Sequence, residues 1–163
     1  MADVELDISK MKRLVGFLQN GMPSIKVGIM GQKNKRNDGI PTNAEIGFAN
    51  EFGKMTGPVK IPARSFIRMP LQTHFYDKLL SKKSLTKKEF EKAVDSGQAD
   101  KFAAKVGLVA EETIQEAFAT RGWGEWKPNA PYTVEQKGSD SPLIDTGQLR
   151  RSITSKVMKK GEK

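Results

Sequence analysis

The stretch from Asp100 to Thr120 constrains the fold more than any other. Phe102, Val106, Val109, Ala110, Thr113, Ile114, Ala117 and Phe118 recur at intervals of three and four, the spacing that stacks side chains on one face of an α-helix. A long helix with so wide an apolar stripe must be covered by another layer. It is therefore predicted as the central packing helix. Two segments can supply that layer. Ser24 to Met30 alternates, with Ile25, Val27 and Ile29 on one face and Lys26 and Gly28 on the other, as in a half-buried strand. Ile153-Thr154-Ser155-Lys156-Val157-Met158 also has strand character and is expected to pair with it.

Other elements hang on this frame. Residues 5–20 are predicted helical from Ile8, Met11, Leu14, Val15 and Leu18, with Asn20-Gly21 and Pro23 as the stop. Thr42 to Phe52 is a predicted helix with Thr42 or Asn43 as cap and Glu45 placed for a capping box. Ile46, Ala49 and Phe52 are expected on its inner face, and Gly53 in the left-handed conformation that ends helices. Ala63-Arg64-Ser65-Phe66-Ile67-Arg68 leads into an apolar segment reaching about Leu80, with Pro70 marking a kink or an extended start. Between Lys82 and Gln98 the chain is strongly charged, and Thr86 can cap a short peripheral helix with Phe90 and Val94 inward. Residues 31–41, 53–62 and 121–141 read as polar or irregular loops. They are expected to be contact surfaces that order on assembly. Residues 1–158 are expected to form one domain, with 81–99 as a charged insertion and 159–163 as a disordered basic tail.

Composition narrows the function classes. The chain has 163 residues, no cysteine and a formal net charge of +9. Disulfides and thiolate metal sites are excluded. The positive balance favours polyanionic partners, although no block of five or six like charges occurs, and scattered lysines also serve solubility. No apolar run approaches the ~18 residues of a membrane span. The start, Met1-Ala2-Asp3-Val4-Glu5, lacks the apolar core of a secretion signal. Synthesis in a cytoplasm and no contact with membrane are the expectations.

Catalytic constellations are sparse. His74 is the sole histidine, and set between Thr73 and Phe75 it reads as a packing residue. A serine triad has no nucleophile elbow to use it, and there is no phosphate-binding loop ending in Gly-Lys-Ser/Thr. Leu143-Ile144-Asp145-Thr146-Gly147 matches the aspartic-protease loop. That chemistry needs two such loops sharing a proton and a long β-rich region downstream. Here Gln148 follows Gly147, and the next residues read as helix, with Leu149 and Ile153 four apart on one face and Asp145 as its N-cap. No catalytic, metal or cofactor-binding residue is assigned, and no enzymatic activity is expected.

Four pieces in order carry a resemblance. They are Val27-Gly28-Ile29; Ala44-Glu45-Ile46-Gly47 through Asn50-Glu51-Phe52-Gly53; Ile61-Pro62-Ala63-Arg64-Ser65-Phe66-Ile67-Arg68; and Trp126, Thr133, Lys137-Gly138-Ser139 and Pro142 through Ile153. Over residues 24–158 the chain resembles tailed-phage virion morphogenesis proteins, the neck or tail-completion proteins of the HK97-like and Mu-type groups. The resemblance implies an α+β fold, a small antiparallel sheet packed against a long central helix with extended polar loops, and a structural virion protein at the head–tail junction, without catalysis or cofactor. It implies a homo-oligomeric ring meeting other neck, connector and tail-tube or tail-terminator proteins. The lysine-rich 81–99 segment departs from the pattern.

Candidate interaction residues follow from side-chain type. Lys33, Lys35 and Arg36 form a basic loop. Arg64 and Arg68, read as one helical turn apart, can pair with carboxylates on a neighbour. Phe52, Trp123 and Trp126 are candidate anchors, the tryptophans being equally suited to the chain's own core. Arg150 and Arg151 are expected to project sideways from the C-terminal helix. The alternative reading is a basic module contacting DNA non-specifically, with strong salt dependence. It lacks aromatics interleaved with the charge.

Overall fold

The computed structural model describes residues 12, 15, 16, 21, 23–36, 41–57 and 60–158. Among these the elements are β1 (Ser24–Ile29), α1 (Asn43–Phe52), α2 (Arg68–Thr73), α3 (Phe75–Ser81), α4 (Lys87–Asp95), α5 (Ala99–Thr120), α6 (Pro131–Lys137), α7 (Gln148–Arg151) and β2 (Ile153–Met158). Single 3-10 turns lie at Gly31–Asn34 and Lys83–Leu85. Of the helix predicted over 5–20, only positions 12, 15 and 16 are described, and they are helical. The rest of it, residues 37–40 of the basic loop, and the 159–163 tail lie outside the described residues.

The fold is α+β, as expected. β1 and β2 pair antiparallel, with Ser24 opposite Met158 and Ile29 opposite Ile153. The long helix α5 lies across both strands. Its 22 residues bury Val109, Ala110, Thr113, Ile114, Ala117 and Phe118. Helix and sheet approach closely because small residues meet at the crossing. A Cβ on Gly107 would sit 2.7 Å from Ser155 Oγ. One turn on, Glu111 Oε1 accepts from both the backbone N–H and the hydroxyl of Ser155, each at 2.6 Å. A carboxylate thus clamps the helix to the middle of β2.

The core centres on Phe66, Ile114, Phe118, Trp126, Leu149 and Ile153. Phe118 meets Phe66 at 5.3 Å and Trp126 edge-on at 5.8 Å, geometries that suit aromatic quadrupoles. Burying each such ring contributes about 1.5–3 kcal/mol. On the far side α4 packs onto α5 through Val94 and the Phe90–Phe102 ring pair at 5.3 Å. Thr86 accepts from the Glu89 backbone N–H as the predicted cap.

α1 opens with the full capping box. Thr42 Oγ1 accepts from Glu45 N–H, and the Glu45 carboxylate accepts from Thr42 N–H at 2.8 Å. These bonds to Thr42 hold the Glu45 carboxyl below its usual range. Its inner face differs from the prediction. Asn43, Gly47 and Glu51 are buried, while Phe52 is exposed. Gly47 is needed there, because a Cβ would come within 2.9 Å of Ile29 Cδ1. Gly53 ends the helix at φ 76° and ψ 164°, a positive-φ extended conformation and not the expected left-handed one. The chain must turn at once into the Lys54–Ile61 bridge, which an αL residue would misdirect.

Glu51 is the main structural surprise. Its carboxylate is 6% exposed and accepts from Ser65 Oγ (2.5 Å), Phe66 N–H (2.7 Å), Ile67 N–H (3.0 Å) and Arg68 N–H (3.0 Å). These are donors at the start of α2, which a helix leaves unsatisfied. The charge sits where the helix dipole favours it. Pro70, in the first turn of α2, removes no needed donor.

Two C-terminal expectations are corrected. Residues 121–141 are not irregular throughout: α6 starts at Pro131, a favoured first helical residue. Residues 145–154 do not form one helix. α7 spans only Gln148–Arg151, and Ile153 already belongs to β2. Its β-branched side chains find a ladder partner in β1, which a helix cannot offer. Asp145 makes no capping bond; Gly147 at φ 74° holds the N-cap position.

Replacing Glu51 with Ala strands four donors, three of them backbone N–H groups. The expected loss is about 3 kcal/mol of unfolding free energy, read as a lowered urea midpoint, with Glu51→Gln losing less.

Candidate functional site

A cleft lies between the 127–149 region and the turn that carries Lys60, Ile61 and Pro62. Its volume is about 630 Å³. Ile46 and Asn50 of α1 form one wall. Lys60, Ile61 and Pro62 form the next, held by the paired Lys54–Ile61 backbone bonds at 2.8 Å. The 127–130 strap, Thr133 and Lys137 of α6, and the 143–149 loop complete it.

Arg64 builds this cleft from behind. It is 6% exposed. Its Nε donates to Lys127 O and its Nη2 to Pro128 O, both at 2.8 Å. Two convergent guanidinium bonds fix the strap against the segment that Glu51 anchors. Burial lowers the Arg64 pKa, though an arginine remains charged at any ordinary pH. The opposite wall is shaped by two residues at positive φ, Leu143 at 58° and Gly147 at 74°. For a bulky residue that conformation is costly. Leu143 is held there by packing against the core and by the buried Pro142 before it. Arg151 Nη2 donates to Thr146 O at 2.9 Å and closes the loop.

The charges are lopsided. Arg36, Lys60, Arg64, Lys127 and Lys137 line the cleft, against Asp145 as the only carboxylate of the lining. Lys137 Nζ donates to Ser141 O at 2.8 Å. Burial pushes its pKa down, Asp145 partly restores it, and Arg64 pushes it down again. The floor, by contrast, is aliphatic: Ile46, Ile61, Pro62, Leu143 and Leu149.

The candidate residues read from sequence scatter over the molecule. Arg36 and Arg64 reach the cleft. Arg36 does so while bonded to Asn43 Oδ1 at 3.3 Å. Arg64 is corrected on two counts: it lies in an extended segment, not one helical turn from Arg68, and its guanidinium is consumed by carbonyls of its own chain. Arg68 lies over the Phe52 ring at 5.2 Å. Lys33 and Lys35 are exposed, and their carbonyls receive Asn43 Nδ2. Trp126 is corrected from surface anchor to core, with Nε1 donating to Ser65 O at 3.2 Å. Trp123 is half-buried and stacks on His74 at 3.7 Å, so the sole histidine is a packing partner. Arg150 is half-buried and bonds Gln115 Oε1 at 2.7 Å. Sequence reasoning missed Lys60, Lys127 and Lys137, because three lysines on separate segments carry no local signal. It also missed Glu51.

Among the described residues no group of three or more histidine or acidic side chains is placed to hold a metal ion, and no helix is long and apolar enough to cross a membrane. No family model, curated protein or solved structure matches the chain.

Lys137 is expected to titrate below the ordinary lysine range. Asp145→Asn should lower it further, since that substitution removes the nearby negative charge that favours the ammonium form. Carbon-detected NMR of the lysine side chains across an alkaline pH series checks both directions.

Proposed function

We propose that the chain is a structural subunit of a tailed-phage particle acting at the head–tail junction, assembled as a ring with neck, connector and tail proteins. The observation that carries this reading is an outward-facing apolar group at the end of α1. Phe48 is 67% exposed, Phe52 51% and Met55 72%, and the two rings touch at 4.8 Å. Aromatic surface left in water at this density is characteristic of an interface awaiting its neighbour. Arg68 over Phe52 adds a cation suited to a carboxylate across such an interface. The ordered motifs that resemble virion morphogenesis proteins include this helix end. The α+β frame with a long helix on a small sheet agrees with what the resemblance implies.

The cationic cleft favours a second reading, non-specific contact with DNA. Phosphate contact alone would be blind to sequence and would weaken steeply with salt.

Deleting the gene from the phage or prophage that encodes it is expected to yield filled heads and unjoined tails in electron micrographs. Normal infectious particles would sink the structural reading. Retention of DNA by the purified chain, lost as salt rises, would then support the second.

A further inference from the structure

The cleft has an aliphatic floor and a cationic rim, a combination that selects for a ligand. A duplex is too broad for a concavity of about 630 Å³, and no aromatic side chain lines it for a base to stack on. The complementary ligand is a short peptide carrying aliphatic and acidic side chains together. Aliphatic side chains would cover Ile46, Ile61 and Leu149, while carboxylates meet Lys60, Lys127 and Lys137. Lys60 and Lys127 are exposed and form no ion pair among the described residues.

This basic chain contains such a peptide. Asp3-Val4-Glu5-Leu6-Asp7-Ile8 holds three carboxylates and three aliphatic side chains within six residues and no cation. We propose that the cleft receives residues 3–8 of a neighbouring copy of the same chain. The contact is heterologous: one copy offers its acidic stretch and the next its cleft. Such a contact propagates, and it closes into a ring when the rotation permits. The inference goes beyond the particle role and does not depend on it.

A fluorescent peptide of residues 1–9 tests the site directly. It should bind the chain lacking residues 1–8. Binding should weaken at least about tenfold between about 50 mM and 500 mM salt, as screening removes charge–charge attraction. Lys60→Glu with Lys127→Glu, both exposed, should abolish binding. Lys87→Glu with Lys88→Glu on α4, outside the cleft, should not. In sedimentation the full chain should self-associate with rising concentration, and the truncated chain should not. Asp3→Lys with Asp7→Lys should restore association to the Lys60→Glu, Lys127→Glu chain. Four results would overturn the proposal: no peptide binding; self-association unchanged by truncation; peptide binding by the truncated chain while the full chain stays monomeric, which places the segment in its own cleft; or an oligonucleotide binding the cleft while the peptide does not.

Discussion

The Glu51 carboxylate is the interaction on which the rest depends. It leaves α1 and bonds four donors at the beginning of α2, so the two helices share one hinge point. Ser65 is bonded on both sides, donating to Glu51 and accepting from Met69 N–H at 2.9 Å. With that segment pinned, Phe66 falls into the core and Arg64 is aimed the other way, at the 127–128 carbonyls. Burying a charge is unfavourable unless its lone pairs are filled. Here they are filled mainly by backbone N–H groups, which cannot rotate away.

From this hinge the molecule divides into a rigid frame and a set of facing loops. Gly107, Ser155 and Glu111 hold α5 against the sheet at short range. Lys78 of α3 and Lys82 just beyond it form ion pairs with Glu116 and Glu112 of the long helix. Their partial exposure makes each worth less than about 1 kcal/mol. The loops opposite, 54–62, 127–130 and 143–149, owe their shape to specific donors and positive-φ residues, not to apolar area. That is where a binding surface is most easily built without weakening the core.

The frame was legible in sequence because its rules are local. A helix with apolar residues at three-and-four spacing, two alternating strands, and the Thr42–Glu45 and Thr86 caps each announce themselves within a few residues. The cleft was not legible, since Arg64, Lys127 and Lys137 meet only through tertiary bonds. Glu51 looked like one more surface acid on a polar helix. Its burial depends on donors more than a dozen residues away. The 145–154 stretch failed for another reason. Its helical spacing is real for Leu149, but strand pairing overrides it at Ile153.

The sheet joins the beginning of the described chain to its end, with Ile29 beside Ile153 and nearly everything else enclosed between them. β2 is therefore the last of the described elements to leave the ribosome, and the sheet cannot form without it. Until it emerges from the ribosome, α5 has β1 but not β2 to cover its apolar stripe, and Glu111 has no Ser155 to hold. Closing so long a loop is entropically demanding and slow. Completion of the frame therefore waits for β2, and until then the apolar face of α5 is the surface most in need of shelter.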